Sequence, residues 1–255
     1  MNYIKKNFSD FLKQVNTNGL INSCLINIKK KSFYVEAIDE TNTLIVIAST
    51  TKSKLLEKDL SASLGIPDLV MLIKFLSTMN NIKVSFEIDS NRVVFKSNNK
   101  SRRLNYLLAD PEAITTVIIK DDPKVDTKKT LMEMHNKRVI ITQDVLNDFQ
   151  AYISMSSSKA VSIEHKHKKD MTIRIGEETT SQFIITIPTD EIIYLKKNKN
   201  KEDVNLNFDG EYIQKVFNSI NFNEENPPIL YFANNSPIVI ENEKTTWAIN
   251  PQIEE

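Results

Sequence analysis

Glycine is scarce in this chain, and its scarcity excludes several classes of enzyme. The four glycines among 255 residues are Gly19, Gly65, Gly176 and Gly210. No two of them lie close enough in sequence to form a dinucleotide-binding fingerprint or a loop that cradles phosphate groups. The sequence therefore predicts neither a nucleotide hydrolase nor a dinucleotide-dependent enzyme.

Histidine and cysteine are also few. His165 and His167 stand two residues apart in EHKHKKD, a spacing that suits a metal ion. The neighbouring lysines would repel a cation, however, and no cysteine or carboxylate cluster completes a site. We interpret both histidines as part of a solvated strand face. Cys24 has no evident histidine partner, so we expect a buried small side chain rather than a nucleophile. We therefore expect no catalytic residue, no metal site and no cofactor.

Long apolar runs are missing as well. The N-terminal stretch MNYIKKNFSD lacks the apolar core of a signal peptide, and no run is long enough to cross a bilayer. A single cysteine excludes an internal disulfide framework and fits a reducing compartment. We expect a soluble intracellular protein without a membrane partner, in either the nucleus or the cytoplasm. The net charge is zero, which disfavours a uniformly basic nucleic-acid binder.

What the sequence does contain is clear periodicity. Four segments have apolar residues at helical spacing: 7–16, 65–80, 142–155 and 209–221. We expect Pro67 in the first turn of the second helix and Thr142 as the cap of the third. Most other segments alternate between apolar and polar residues, as half-buried strands do, and polar turns separate them into antiparallel hairpins.

The order of these elements repeats once. A helix, several strands, a second helix and a three-stranded meander occur twice, with the meanders at 83–108 and 228–250. The fold class is therefore α+β, as two tandem domains that each place two helices on one face of an antiparallel sheet. We assign residues 1–112 to the first domain, 113–135 to a charged interdomain connector and 136–255 to the second domain. Residues 117–119 are expected to add an extended piece to a sheet.

Several short motifs, taken in order, resemble a known family. They are FLKQV at 11–15, EAID at 36–39 before TLIVIAS, LLADPE at 107–112 and the terminal SPIVIENEKTTWAINPQIEE. This series resembles the sliding clamps of the proliferating-cell-nuclear-antigen type, which are DNA polymerase processivity factors. The chain departs from the pattern at Asn250, where the family has alanine before the last proline.

The resemblance implies a closed ring, usually a homotrimer, with helices lining a central hole and sheets outside. It also implies the partners. These are encircled double-stranded DNA, a DNA polymerase and other proteins that carry clamp-binding peptides, and a clamp-loader ATPase. A protein linked to DNA by its topology needs only diffuse positive charge on its inner surface, because phosphate contacts carry no sequence information.

The basic positions of the hole follow from the same resemblance. Lys13 and Lys74 match channel positions, Lys215 shares the polar side by periodicity, and Lys5 and Lys6 are expected near the rim. The third helix departs from the pattern because its polar face carries no lysine or arginine. That face consists of Asp144, Asn147, Asp148 and Gln150. We therefore expect a less basic channel than is usual for the family.

Ring closure in the family joins the last strand of the first domain to an edge strand of the neighbour's second domain. Those strands correspond here to residues 103–108 and 182–187. The implied subunit-interface residues are Arg103, Leu104, Tyr106, Leu108, Phe183, Ile185 and Ile187.

Partner peptides in the family enter a pocket beside the connector. Its implied members here are Ile38, Ile45, Ile118, Pro237 and Pro251. Prolines keep a segment free of strand pairing, so we expect an open apolar concavity at this place. Trp247 is expected to support that region from the core.

Two other functions remain open at this point. One is a two-domain, β-rich structural or scaffold protein that forms large assemblies. The other is a monomeric processivity subunit that holds DNA by charge without encircling it, in which case binding would fall steeply with salt. All three hypotheses describe a protein that is not an enzyme.

Overall fold

The structure is a computed structural model of the chain. It describes residues 2–4, 7–29, 32–51, 61–79, 84–89, 91–97, 101–114, 126–177, 179, 181–195 and 202–252. The chain divides into two compact units. Unit 1 comprises Met1–Glu40 and Ile45–Ile118, and unit 2 comprises Thr41–Leu44 and Ile119–Glu255. In the described ranges, no helix is both long enough and apolar enough to span a membrane.

In the residues that the structure describes, unit 1 contains two helices and eight strands. They are β1 (Asn2–Ile4), α1 (Asn7–Asn16), β2 (Cys24–Ile28), β3 (Ser32–Ile38), β4 (Leu44–Thr51), β5 (Ala62–Ile66), α2 (Leu69–Ser77), β6 (Val84–Asp89), β7 (Arg92–Ser97) and β8 (Arg103–Leu107). All pairings are antiparallel. One sheet has the order β1-β6-β7-β8, and the remaining strands follow the order β4-β3-β2-β5.

The apolar stripe of α1 builds the core of unit 1, as the sequence predicts. Phe8, Phe11, Leu12 and Val15 are all buried. The ring of Phe8 meets that of Phe33 on β3 edge to face, with centroids 5.9 Å apart. Each such side chain contributes about 1.5–3 kcal/mol by leaving water. Packing of this apolar stripe against the sheet therefore stabilises the helix.

The second helix begins later than predicted. Residues Gly65 and Ile66 belong to β5, and α2 starts at Leu69 with Asp68 as its N-cap, whose carboxylate accepts a hydrogen bond from Met71 N at 2.8 Å. Pro67 thus precedes the helix, so its predicted place in the first turn is wrong. Gly65 is required in the strand, because a Cβ there would lie 2.5 Å from the carbonyl oxygen of Ala109.

The hydroxyl of Tyr106 secures this helix start. It donates to the carbonyl oxygen of Asp68 at 2.8 Å and accepts from the Asp68 backbone N–H at 2.9 Å. We expect Tyr106→Phe to lower the free energy of unfolding by about 1 kcal/mol, because both hydrogen bonds are lost while the ring stays packed. Urea denaturation of the two proteins checks this. Equal midpoints would show that water replaces both bonds without cost.

Unit 2 contains three helices and nine strands in the described residues. They are α3 (Thr127–Glu133), β9 (Lys137–Ile140), α4 (Gln143–Met155), β10 (Ala160–His165), β11 (Met171–Ile175), β12 (Phe183–Ile187), β13 (Ile193–Tyr194), β14 (Val204–Asp209), α5 (Gly210–Phe217), β15 (Ile229–Phe232), β16 (Ile238–Asn242) and β17 (Thr245–Ile249). One sheet has the antiparallel order β12-β11-β10-β14, and the other strands follow β13-β9-β15-β16-β17.

The two units repeat one topology, which confirms the predicted duplication. In each unit the first strand, β1 or β9, pairs with the first strand of the closing meander, β6 or β15. The strand after the first helix, β2 or β10, lies between its hairpin partner and the strand before the second helix. The capping predicted for α4 is also confirmed, since Thr142 Oγ1 accepts from Val145 N at 3.3 Å.

Helix α3 lies within the segment that the sequence assigns to the interdomain connector, where no helix is predicted. Asp126 caps it by accepting from Lys129 N at 3.1 Å. Only Thr127 and Leu131 of this helix are buried, so two turns give no apolar stripe that periodicity could detect. Residues 117–119, the predicted extended piece, lie outside the described residues.

Candidate functional site

The predicted DNA-facing lysines of unit 1 lie on the exposed sides of neighbouring helices. Lys13 is exposed on α1 and pairs with Asp10 at 3.6 Å, and Lys74 is exposed in the last turn of α2. Pairs as exposed as Lys13–Asp10 contribute only about 0.2–1 kcal/mol, because water screens both charges. Lys5 and Lys6 lie outside the described residues.

The helices of unit 2 carry less positive charge. Lys215 on α5 pairs with Glu211 at 2.8 Å, and this hydrogen bond, with the lysine charge, lowers the pKa of the Glu211 carboxyl. On α4, Asp144, Asn147 and Asp148 are exposed, as the sequence predicts for its polar face. Each lysine on α1 and α5 is thus matched by an acid on its own helix, and α4 adds only negative charge.

Strands β8 and β12 are the outer strands of their sheets. Among the described strands, β8 pairs with β7 alone and β12 with β11 alone. The side chains of Tyr106, Ile185 and Ile187 point into their own units and are buried there. At these three predicted interface positions only the main chain is directed along the edge.

The other predicted interface residues lie nearer the surface. Arg103 is exposed, and its Nε donates to Asn105 at 3.0 Å. Leu104 and Leu108 are half-buried. Phe183 is also half-buried and stacks on Tyr152 of α4 with ring centroids 5.0 Å apart.

The largest exposed apolar side chains at these edges are ones that sequence reasoning did not select. Leu107 on β8 is 66% exposed, and Ile184 on β12 is 47% exposed. Met155, at the end of α4, is 60% exposed. Leu107 and Ile184 occupy the strand phase opposite to Tyr106 and Ile185. In both strands an apolar residue also stands at a position where alternation would place a polar one. This departure from alternation is the signal that would have identified Leu107 and Ile184.

The predicted partner pocket has one part in each unit. In unit 1, Ile38 on β3 is the cross-strand partner of Ile45 on β4. Ile38 is half-buried and Ile45 is buried. In unit 2, Pro237 and Pro251 line one open concavity of about 610 Å³. Ile118 lies outside the described residues.

This concavity is more polar than the sequence predicts. Five carboxamide side chains line it beside the two prolines: Asn205, Asn207, Asn235, Asn250 and Gln252. The C-terminal segment forms one wall, since Gln252 N donates to the carbonyl oxygen of Asn207 at 2.7 Å. The lining of this concavity is therefore of mixed polarity, with prolines and carboxamides side by side. Trp247 is fully buried, as expected of a residue that supports this region from the core.

The histidine pair is not a solvated face. His165 is buried, and its Nε2 lies 3.1 Å from the Tyr194 hydroxyl, so the prediction of solvent exposure is wrong for this residue. Burial lowers the pKa of His165, and the charge of Lys137 adds to the shift. In the described part of the chain, no cluster of three metal-ligating side chains occurs. Cys24 is buried, and burial raises the pKa of its thiol to about 12, which agrees with a packing role.

Comparison with known proteins identifies the fold. No family model and no curated protein matches the sequence. The PCNA of A. fulgidus, solved with the C-terminal region of FEN-1 bound, is 16% identical and has a TM-score of 0.72 over 100% of this chain and 99% of that chain. The PCNA of Thermococcus kodakaraensis is 10% identical, with a TM-score of 0.70 over 99% and 100%. The chain has the PCNA-type clamp fold.

A third clamp structure extends this result to a eukaryote. The proliferating cellular nuclear antigen of Entamoeba histolytica is 14% identical, with a TM-score of 0.71 over 99% of this chain and 98% of that chain. All three comparisons span both units, which confirms the fold that the sequence motifs indicate. At these identities few side chains are shared, so the roles of individual residues in this clamp fold have to be argued from its own geometry.

Proposed function

We propose that this protein is a DNA sliding clamp, a processivity factor without enzymatic activity of its own. It encircles duplex DNA as a homotrimer and tethers a DNA polymerase and other replication proteins. The observation that carries the proposal is a whole-chain clamp fold whose outer strands, β8 and β12, both present exposed apolar side chains.

The outer strands support ring closure. An open strand edge with exposed Leu107 or Ile184 invites pairing with another chain, and stable monomers avoid such edges. When β8 of one subunit pairs with β12 of the next, these two edges are covered in every subunit, provided that the rotation closes. Arg103, Leu104, Leu108 and Phe183 flank this contact in the proposal. Tyr106, Ile185 and Ile187 contribute main-chain groups.

Enclosure explains the weak positive charge of the helices. In the proposed ring α1, α2, α4 and α5 line the hole, with Lys13, Lys74 and Lys215 facing DNA and Lys5 and Lys6 near the rim. A ring that cannot leave a closed DNA circle needs no strong phosphate contacts to stay bound, so paired lysines and an acidic α4 are compatible with the task.

Partner proteins dock by short peptides, and the resemblance to clamps assigns five residues to peptide binding: Ile38, Ile45, Ile118, Pro237 and Pro251. The A. fulgidus PCNA structure holds a C-terminal region of FEN-1. We propose partners of the same kind here, together with a clamp-loader ATPase that opens the ring. The carboxamides around Pro237 and Pro251 favour peptides whose polar groups both donate and accept hydrogen bonds.

Retention on DNA tests the proposal. We expect a solution mass three times the 29.3 kDa of one chain. After loading, the protein should remain on closed circular DNA through washing at high salt and leave once the DNA is linearised. A monomer whose binding ignores DNA ends and falls steeply with salt would instead indicate a non-encircling processivity subunit. Large assemblies without polymerase stimulation would indicate a scaffold protein.

A further inference from the structure

The outer face of one sheet in unit 2 forms an open polar trough of about 790 Å³. This face is the side of β12-β11-β10-β14 that points away from the buried residues of these strands. Ser162 on β10 lies in the trough and is the cross-strand partner of both Arg174 on β11 and Asn207 on β14. All three side chains are half-buried. The trough is therefore centred on an inner strand of the sheet.

The internal repeat gives this surface a counterpart in unit 1. Gln252 N donates to the carbonyl oxygen of Asn207 at 2.7 Å, and Ala109 N donates to that of Gly65 at 3.0 Å. The acceptors are equivalent, because β14 and β5 each pair with the strand that follows the first helix of their unit. Beyond Ala109 the chain turns back, and the buried Ile114 lies against Gly65, with its Cγ1 3.3 Å from where a Cβ would stand. One copy of the fold thus already holds a polypeptide segment at this place.

We propose that the trough of unit 2 is a docking site for a partner protein, which binds there through a polar, extended polypeptide segment. The segment lies over Asn207 as Ile114 lies over Gly65 in unit 1. The nature of the partner, a protein that also carries a clamp-binding peptide, rests on the proposed function. The trough itself is a property of unit 2 alone.

The lining of the trough suits the main chain of a peptide. Gln182, Asn205, Asn207 and Gln252 supply carboxamide groups, and Ser162 supplies a hydroxyl. A carboxamide both donates and accepts hydrogen bonds, as each peptide unit of an extended chain does. From β14 to β12 the sheet has three strand spacings, about 14 Å, which an extended chain crosses in about four residues. The segment that fits is therefore short and extended.

The charges of the trough disfavour nucleic acid as its occupant. Among the described residues that line it, the charged side chains are Glu164, Arg174 and Glu177, one positive and two negative. Arg174 Nε donates to Glu164 at 3.0 Å, so the positive charge is already paired. Nucleic-acid sites need cationic side chains opposite the phosphates. A peptide without excess negative charge is the occupant that this lining favours.

The trough is continuous with the concavity beside Pro237 and Pro251. Asn205, Asn207 and Gln252 line both. A peptide bound beside the two prolines can therefore extend into the trough without leaving the surface. This continuity assigns the trough to the same partner proteins as the concavity.

Peptides selected on the full-length protein test the proposal. The probe is a phage library of random peptides of about sixteen residues, long enough to reach across both cavities at about 3.3 Å per residue. Ser162→Trp fills the centre of the trough, and the new side chain points away from the core. We expect at least one family of selected peptides to bind this variant roughly tenfold or more weakly than the parent protein, by fluorescence anisotropy of the synthetic peptides. The control is Ser63→Trp, the same change at an exposed position of β5 in unit 1, which should bind as the parent does.

Two results of this selection would overturn the proposal. One is that every selected peptide binds Ser162→Trp as tightly as it binds the parent protein. The other is that the library yields no peptide at all.

Nuclear magnetic resonance of the parent protein separates docking in the trough from a change of fold in the variant. The side-chain amide signals of Asn205 and Gln182 should shift when such a peptide is added, because both groups line the trough. Loss of affinity in Ser162→Trp without these shifts would contradict docking there. Shifts that follow protein concentration alone would assign the trough to a second copy of the chain and reject a partner peptide.

Retention of the parent protein on circular DNA, measured separately, reports on clamp function by itself. Its loss would reject the proposed function and leave the peptide result standing.

Discussion

Replacing Leu107 by glutamate is expected to turn the proposed ring into a 29.3 kDa monomer, and Ile184→Glu is expected to do the same. Both side chains are exposed apolar groups on outer strands that face another subunit in the proposed ring. A carboxylate buried there without a partner costs several kcal/mol. About 4 kcal/mol weakens each contact roughly a thousandfold. Light scattering gives the mass, and both variants should fail to remain on closed circular DNA.

Mixing the two variants distinguishes a head-to-tail ring from other assemblies. Leu107→Glu disrupts the contact surface of β8 and leaves that of β12 intact. Ile184→Glu disrupts the contact surface of β12 and leaves that of β8 intact. An equimolar mixture should therefore form dimers and no trimers, because only one contact can form and the rotation cannot close. Met134→Glu is the control, since Met134 is 51% exposed at the end of α3 and belongs to neither strand, and this variant should stay trimeric. Trimers in the mixture would contradict the proposed pairing of β8 with β12.

Reversing the charge of helix α4 is expected to make the proposed ring bind DNA directly as well as enclose it. We expect the double variant Asp144→Lys and Asp148→Lys to bind linear duplex DNA tenfold or more tightly at about 50 mM salt. Each new phosphate contact should steepen the salt dependence of log K by about 0.9. Fluorescence anisotropy over a salt series measures both quantities.

The control for this experiment carries the same change in net charge elsewhere in unit 2. Asp190→Lys with Glu191→Lys alters two exposed acids in the short turn after β12. We expect its affinity for linear DNA to match that of the parent protein. If both double variants gain equally, general attraction explains the result and α4 does not face the DNA. If neither gains, the polar face of α4 lies outside the hole.

The helices show which secondary structure a local sequence pattern can predict and which it cannot. Four apolar stripes predict α1, α2, α4 and α5, because each stripe has a sheet to cover and burial stabilises it. Helix α3 has a single buried leucine, so its formation depends on Asp126, Lys128 and His135 finding partners on the helix and on the terminal hairpin. The partners on the terminal hairpin are distant in sequence, and periodicity carries no information about them.

The candidate site was likewise predictable from the sequence only in part. Motifs locate the outer strands and the terminal prolines, because a strand and a proline have local signatures. Which side of β8 and β12 faces outward depends on where the core lies, and the sequence does not show this. The predicted interface residues therefore included the buried Tyr106 and Ile185 and left out the exposed Leu107 and Ile184. The carboxamides beside Pro237 come from segments far apart in the chain.

By itself the sequence determined the duplicated α+β architecture, which follows from the order and period of apolar residues. Its motifs, taken in order, carried the resemblance to clamps. Only the tertiary structure decided that His165 is buried, that carboxamides share the lining of the concavity in unit 2 with two prolines, and that His135 contacts the carbonyl oxygen of Pro237. Burial and hydrogen-bond partners are set by residues that meet in space after the chain has folded, and no local pattern encodes such meetings.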